Sequence, residues 1–331
     1  MTPWGETHSN NWIVPGFFTP EVLHCFHTHM VAVGGSTVVL KDLTDAEQGA
    51  VGGIAAVIEA LLLQPTTYAK NARQQGLALT LDPRVLYRGI GAALCNEVGQ
   101  LGLQFGVTGA LLRMSIPEDA PPSVATELIA AAGAGALVAV LASPLELVIV
   151  QQQRFGGAML ATAYEVVCRH GAFGSGLFRG LGLAMGRDAI YVGGMLGATP
   201  IVRRWLMERR GLAEPALPVA STTLEPAGGV GTVADAALTS LAASMLGGVI
   251  GALLSHPFDV AKTCMQGDLA RATYGGSFEA MRALLRDGGI ARLYHGATWR
   301  TVNITATVWI ANECSLRLPK HIRPAPAPSL M

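Results

Sequence analysis

One motif, written three times, constrains this chain more than any other feature. The copies are QPTTYAKNARQ at residues 64–74, SPLELVIVQQQ at 143–153 and HPFDVAKTCMQ at 256–266. Each closes a long apolar stretch at a proline, and each has a glutamine nine residues beyond that proline. A second element follows every copy: Tyr87-Arg88-Gly89, Phe178-Arg179-Gly180 and Tyr294-His295-Gly296. An internal repeat of this kind means one supersecondary unit used three times, because a single unit cannot bury its apolar face alone.

Each unit carries two apolar segments. Six windows follow, at about 48–74, 89–113, 124–153, 180–206, 235–265 and 296–318. Each is long enough for the roughly 20 residues that cross a hydrocarbon core. Half of the residues are hydrophobic, 14% are charged and the mean hydropathy is +0.40, which is too apolar for an ordinary soluble domain. Glycine and alanine dilute several windows, as close helix packing in a membrane requires. Gly49 with Gly53, and Gly247 with Gly251, form GxxxG pairs that predict close helix approach. The expected class is therefore an all-α membrane protein built from three pseudo-repeats of two transmembrane helices.

The motif resembles that of the mitochondrial carrier family: proline, any residue, an acid, two of any, a base, any, a base, any, glutamine. In that family it closes each odd-numbered transmembrane helix, and the aromatic-basic-glycine element opens each even-numbered one. The resemblance covers roughly residues 48–318. It divides the chain into an extension (1–47), repeats over 48–113, 114–206 and 235–318, a linker over 207–234 and a tail over 319–331. It implies a mitochondrial inner-membrane location with both termini in the intermembrane space. The N-terminal residues show neither an apolar signal region nor an Arg/Ser-rich transit pattern, so internal import signals are expected.

Several further expectations follow from the residues. Thr44 and Glu47 read as a capping box opening the first helix. Pro65, Pro144 and Pro257 each remove a helical hydrogen bond and predict kinks. Tyr274, Phe278, Met281 and Leu285 repeat at helical spacing after the third motif, as do Leu160, Tyr164 and Val167 after the second. By resemblance these are surface helices. Only 12 residues, including Gly76 and Pro83, separate Gln74 from Tyr87, too few for a third. Zero net charge argues against a nucleic-acid partner. Five cysteines without CxxC spacing give neither a disulfide framework nor a zinc site. His24, Cys25, His27 and His29 alternate, but nothing nearby completes a metal site. No nucleophile–base pair suggests an enzyme, and no cofactor is expected. A lipid such as cardiolipin is an expected ligand near Gly89, Gly180 and Gly296.

The resemblance also assigns roles. The matrix gate is a ring in which the acid of one odd helix pairs with the base of the next. Here the acidic positions hold Thr67, Glu146 and Asp259, and the basic positions Lys70, Ile149 and Lys262. Two pairs are implied, Glu146 with Lys262 and Asp259 with Lys70. The third position has lost both charges, which avoids the roughly 3–5 kcal/mol cost of stranding one of them. Gln74, Gln153 and Gln266 are expected to brace the ring. The solute site is placed on the even helices at Arg187 and Asp188, at Asn96 and Glu97, and at Arg300 and Asn303, with Arg187 for a carboxylate and Asp188 for an ammonium group. Glu59 adds a further intramembrane charge. The outer gate is depleted: Phe105 begins a stretch without charge, Pro200 and Arg203 have no acid, and Glu313 with Arg317 suits a pair within one helix. The implied function is alternating-access transport of an amino-acid-like or carboxylate solute. The alternative is a carrier-fold subunit of a respiratory or ATP-synthase assembly that no longer transports.

Overall fold

A computed structural model describes residues 45–115, 124–173, 176–211 and 230–322. These form α1 Asp45–Gln75, α2 Pro83–Leu86, α3 Ile90–Ser115, α4 Val124–Phe155, α5 Met159–His170, α6 Leu181–Arg210, α7 Val230–Gly267, α8 Ser277–Leu293 and α9 Ala297–Ile322. No strand occurs among the described residues. The order is long, short, long, three times over, so each triplet is one repeat. Every expected window lies on one of the six long helices. The histidine-rich extension, Thr44, most of the linker and the tail lie outside the described residues.

The long helices close into a ring in the order α1, α3, α4, α6, α7, α9 and back to α1. Among the described residues, α1, α4 and α7 are the helices apolar enough to be read as membrane spans by length and composition, over Ala50–Gln75, Leu128–Phe155 and Asp235–Gly267. The even partners α3, α6 and α9 fall short because they carry the polar residues that line the interior.

Glycine sets the repeat geometry. Gly89, Gly180 and Gly296 have φ of 83, 82 and 83°, the left-handed region that a side chain disfavours. Each lies against the next odd helix at its basic motif position. A Cβ on Gly89 would meet Ile149, one on Gly180 would meet Lys262, and one on Gly296 would come within 3.0 Å of the Lys70 carbonyl. The aromatic-basic-glycine elements thus tie repeat 1 to 2, 2 to 3 and 3 to 1.

The prolines stand inside continuous helices. Pro65 leaves the Leu61 carbonyl without its usual N–H donor. The Tyr87 hydroxyl donates to that carbonyl at 3.2 Å, the kind of local repair that makes a proline tolerable in a membrane helix. The residue before the proline makes a second tie. Gln64 Nε2 donates to the Arg88 carbonyl at 2.8 Å, and His256 Nε2 lies 3.2 Å from the His295 carbonyl. In repeat 2 this position is Ser143, whose buried hydroxyl makes no hydrogen bond with any described residue.

The surface helices follow the sequence reading. α5 presents Leu160, Tyr164 and Val167 outward while Val166 is buried, an orientation that suits the headgroup boundary of a bilayer. α8 is broken at Gly288 and Gly289, where the backbone leaves helical geometry. Repeat 1 has only the four-residue α2, as its short connection requires.

One expectation fails. Nothing approaches within 4 Å of a Cβ on Gly53, so that glycine does not mediate close packing. Gly247 and Gly251 do. A Cβ on Gly247 would meet Thr199, and one on Gly251 would lie 2.7 Å from the Tyr191 carbonyl of α6. The difference is that Gly247 and Gly251 have the α6 backbone pressed against them, whereas Gly53 has no neighbour in reach.

Past α7 the chain is held by charge. Asp268 accepts backbone N–H bonds from Ala272, Thr273 and Tyr274 at 3.1, 2.8 and 2.9 Å. Partial burial pushes its carboxyl up, but these donors and nearby Arg179 outweigh it and hold the group below the usual carboxylate range. Buried Arg179 in turn donates to the carbonyls of Met265, Tyr274 and Gly275.

Candidate functional site

The odd helices meet beyond their prolines. There α1 contributes Lys70, Asn71 and Gln74; α4 contributes Glu146 and Gln153; α7 contributes Asp259, Lys262 and Gln266. Lys262 Nζ lies 2.9 Å from Glu146 Oε2, joining α7 to α4. Lys70 Nζ lies 3.2 Å from Asp259 Oδ2, joining α1 to α7. Both pairs are thus present at the expected positions. The helical period explains the selection: residues three apart on α7 share a face, so Asp259 and Lys262 both point inward.

The third seam is neutral. Ile149 packs with Ala92, Ala93 and Val148, while Thr67 accepts a hydrogen bond from Asn303 Nδ2 at 3.0 Å. The direct polar tie between α1 and α4 is Asn71 Nδ2 donating to Gln153 Oε1 at 2.7 Å. Asn71 occupies an unspecified position of the repeat pattern, so no sequence signal pointed to it.

The glutamines differ in use. Gln74 Nε2 donates to Asp259 Oδ2 at 2.6 Å. Gln153 accepts from Asn71. Gln266, expected to brace the ring, makes no side-chain hydrogen bond with any described residue. Its carbonyl instead accepts from Gln151 Nε2 at 2.5 Å. The Gln266 side chain lies beside Gly180, within the tight contact between repeats 2 and 3.

The even helices reach into the same network, which changes the expected solute site. The resemblance implied that Arg187 would hold a carboxylate. Its guanidinium instead contacts Glu146 at 2.8 Å, Asp188 at 2.6 Å and Asp259 at 3.4 Å. Asp188 is correspondingly engaged by Arg187, through two nitrogens, and is not free for an ammonium group. Arg300 contacts Asp259 Oδ2 at 3.2 Å and donates to Ser255 at 2.8 Å. Asn303 bridges to Thr66 and Thr67 at 3.0 Å each. For the two arginines the physical reason is the same. Asp259 is only 1% exposed, and a buried carboxylate gathers every cation within reach because water cannot solvate it.

A cavity of about 210 Å³ opens onto this network. Its lining includes Asn96, Glu97 and Gln100 of α3 and Glu59 of α1, with Leu63, Val150 and Ile304 as apolar wall. Asn96 is buried, and its Oδ1 accepts from Gln100 Nε2 at 3.3 Å. Glu59, which no motif marks, accepts from Thr307 at 2.6 Å.

At the opposite end Glu313 and Arg317 pair within α9 at 2.7 Å. The interhelical ion pairs between described residues all lie at the proline end. No cluster of three or more metal-binding side chains occurs among the described residues.

Comparison with known proteins gives a consistent set. The family described as mitochondrial carrier protein matches residues 120–210 and 234–311, together just over half of the chain. The matched regions correspond to repeats 2 and 3. A mitochondrial carnitine/acylcarnitine carrier-like protein of Arabidopsis thaliana is 28% identical, over 81% of this chain and 96% of its own length. The Arabidopsis thaliana mitochondrial arginine transporter is 26% identical, over 84% and 92%. Mitochondrial 2-oxodicarboxylate carrier 1 of Saccharomyces cerevisiae is 27% identical, over 74% and 83%.

Proposed function

Because the chain belongs to the mitochondrial carrier family, we propose that it moves a small amino-acid-like or carboxylate solute across the mitochondrial inner membrane by alternating access. The family's members are transporters of the six-helix, three-repeat fold, and membership places the chain in a mitochondrial membrane. The proposal assigns the cavity to the solute and the ion-pair ring at the proline end to the matrix-side gate.

One observation carries it: the gate and the cavity share side chains. Arg187 and Arg300 come from even helices, and Glu146, Lys70 and Lys262 from odd ones, yet all line the same cavity and join the same ion pairs. A charged solute that pairs with any of them removes a partner from the ring. Its differential affinity for the open and closed states then supplies the coupling that alternating access requires. The relatives are named for solutes of different charge, so the family does not fix which solute this is.

The test is counter-exchange in liposomes with purified protein, alongside its native mass in mild detergent. Saturable exchange by a free monomer is expected. No exchange of amino acids, amines or carboxylates, together with stable co-migration with a respiratory or ATP-synthase complex, would sink the transport reading in favour of an accessory subunit.

A further inference from the structure

The cavity's charges are unequally matched. Lys70, Lys262, Arg187 and Arg300 are each within 4.0 Å of at least one carboxylate among Glu146, Asp188 and Asp259. Every cation that lines the space therefore already has a partner. The carboxylates do not balance. Glu97 makes no hydrogen bond or ion pair with any described residue, and Glu59 has only the Thr307 hydroxyl. Both line the same cavity. An intramembrane carboxylate without a cation is costly to keep and by default marks a ligand or ion pathway.

A second observation comes from the residue beside Glu97. Asn96 is 6% exposed and lines the cavity. Its oxygen accepts from Gln100, but its Nδ2 donates to nothing among the described residues. Asn96 lines the cavity, so this unbonded donor is available to an external acceptor.

We infer that the cavity recognises a small solute through a cationic nitrogen, an ammonium or guanidinium group, held by Glu97 with Glu59, while Asn96 Nδ2 takes an oxygen of the same solute. The inference rests on the carrier reading and narrows it. It moves the cation-binding role expected of Asp188 to Glu97 and Glu59, and leaves no free Arg187 to hold a carboxylate. A dicarboxylate would find no unpaired cation and would meet two unpaired carboxylates.

The experiment uses the full chain in liposomes and in detergent, with arginine, lysine, alanine and 2-oxoglutarate as probes. Homo-exchange and the thermal shift given by each probe are measured for the natural protein, Glu97→Gln and Glu59→Gln. Arginine or lysine should exchange and raise the melting temperature. Glu97→Gln should weaken both responses by about tenfold or more, the size of one charge-assisted contact. Its own melting temperature should not fall, because Glu97 has no partner to lose. Glu59→Gln should have the smaller effect, since the amide oxygen still accepts from Thr307. Exchange of 2-oxoglutarate or alanine without the cations overturns the cation site and leaves the carrier reading intact. Cation-induced stabilisation that Glu97→Gln removes, without exchange of any probe, supports the site and counts against transport. If no probe exchanges or shifts melting, the cation site is overturned as well.

Discussion

α7 and α1 are copies of one element, and they have been put to different use. Both carry a proline after a tie to the following loop, His256 to the His295 carbonyl and Gln64 to the Arg88 carbonyl. Beyond the proline they diverge. α7 keeps the acid and the base, and Asp259 collects Lys70, Arg187, Arg300 and Gln74. α1 has Thr67 at the acidic position and contributes Lys70 to the ion pairs. Gly247 and Gly251 of α7 are enclosed by α6, whereas Gly53 of α1 faces open space. The lesson is that the motif reproduces backbone geometry faithfully, while the polar partnerships are drawn up separately at each copy.

The sharpest way to break that contrast is Asp259→Asn. It would leave Lys70 and Arg300 in a buried site without the carboxylate they share. A loss of about 3–5 kcal/mol is expected, with exchange abolished in liposomes and a lower melting temperature in detergent. Replacing Thr67 or Lys70 with alanine should cost less. A change at α1 as severe as the one at α7 would disprove the assignment of Asp259 as the common partner. For the same reason, exchanging the charges of Lys70 and Asp259 should not restore function. The new lysine would stand beside Arg187 and Arg300.

The glutamines give the next test. Gln74→Leu removes a hydrogen bond to a charged carboxylate and should cost about 1.5–3 kcal/mol. Gln266→Leu replaces an amide whose two polar atoms are buried without partners, so its melting temperature should be unchanged or higher. Equal losses from the two would show that Gln266 has a bonded role.

The glycines follow. Gly251→Ala would place a methyl group 2.7 Å from the Tyr191 carbonyl and 2.9 Å from the Met195 nitrogen. Both neighbours are backbone, so overpacking of about 1–3 kcal/mol is expected. Gly53→Ala meets nothing and should stabilise α1 by about 0.5–1 kcal/mol. Thermal melts of the pair should therefore move in opposite directions.

A small, local effect lies just past α7, where Asp268 caps the connection to α8. Its folded carboxyl is held below its ordinary range. The stability it gives is therefore complete above the unfolded value near 3.9 and is lost as pH falls through the lower, folded value. Asp268→Asn should remove that acid-sensitive increment, about 1 kcal/mol at neutral pH. Hydrogen exchange at Thr273 and Tyr274 should report it.

Much of this was legible from the chain. The threefold motif gave the six long helices, their pairing into repeats, the surface helices of repeats 2 and 3 and the reason repeat 1 has only a vestige. Those features depend on local constraints. Proline removes a donor wherever it stands, and glycine alone takes φ near 83° without strain, so a residue and its neighbours suffice to read them. The positions of Glu146, Lys262, Lys70 and Asp259 were also legible, because their spacing repeats.

What the sequence could not decide was which charges remain available. Arg187 and Arg300 looked like solute ligands while their surroundings were unknown. The folded ring brings both to Asp259, 72 and 41 residues away in the chain, and leaves Glu97 and Glu59 without a cation. A charge is free or engaged according to distances between helices that meet only after folding. In a low-dielectric interior a few ångströms determine the pairing, which is why the motif determined the scaffold and only the tertiary structure decided the character of the site.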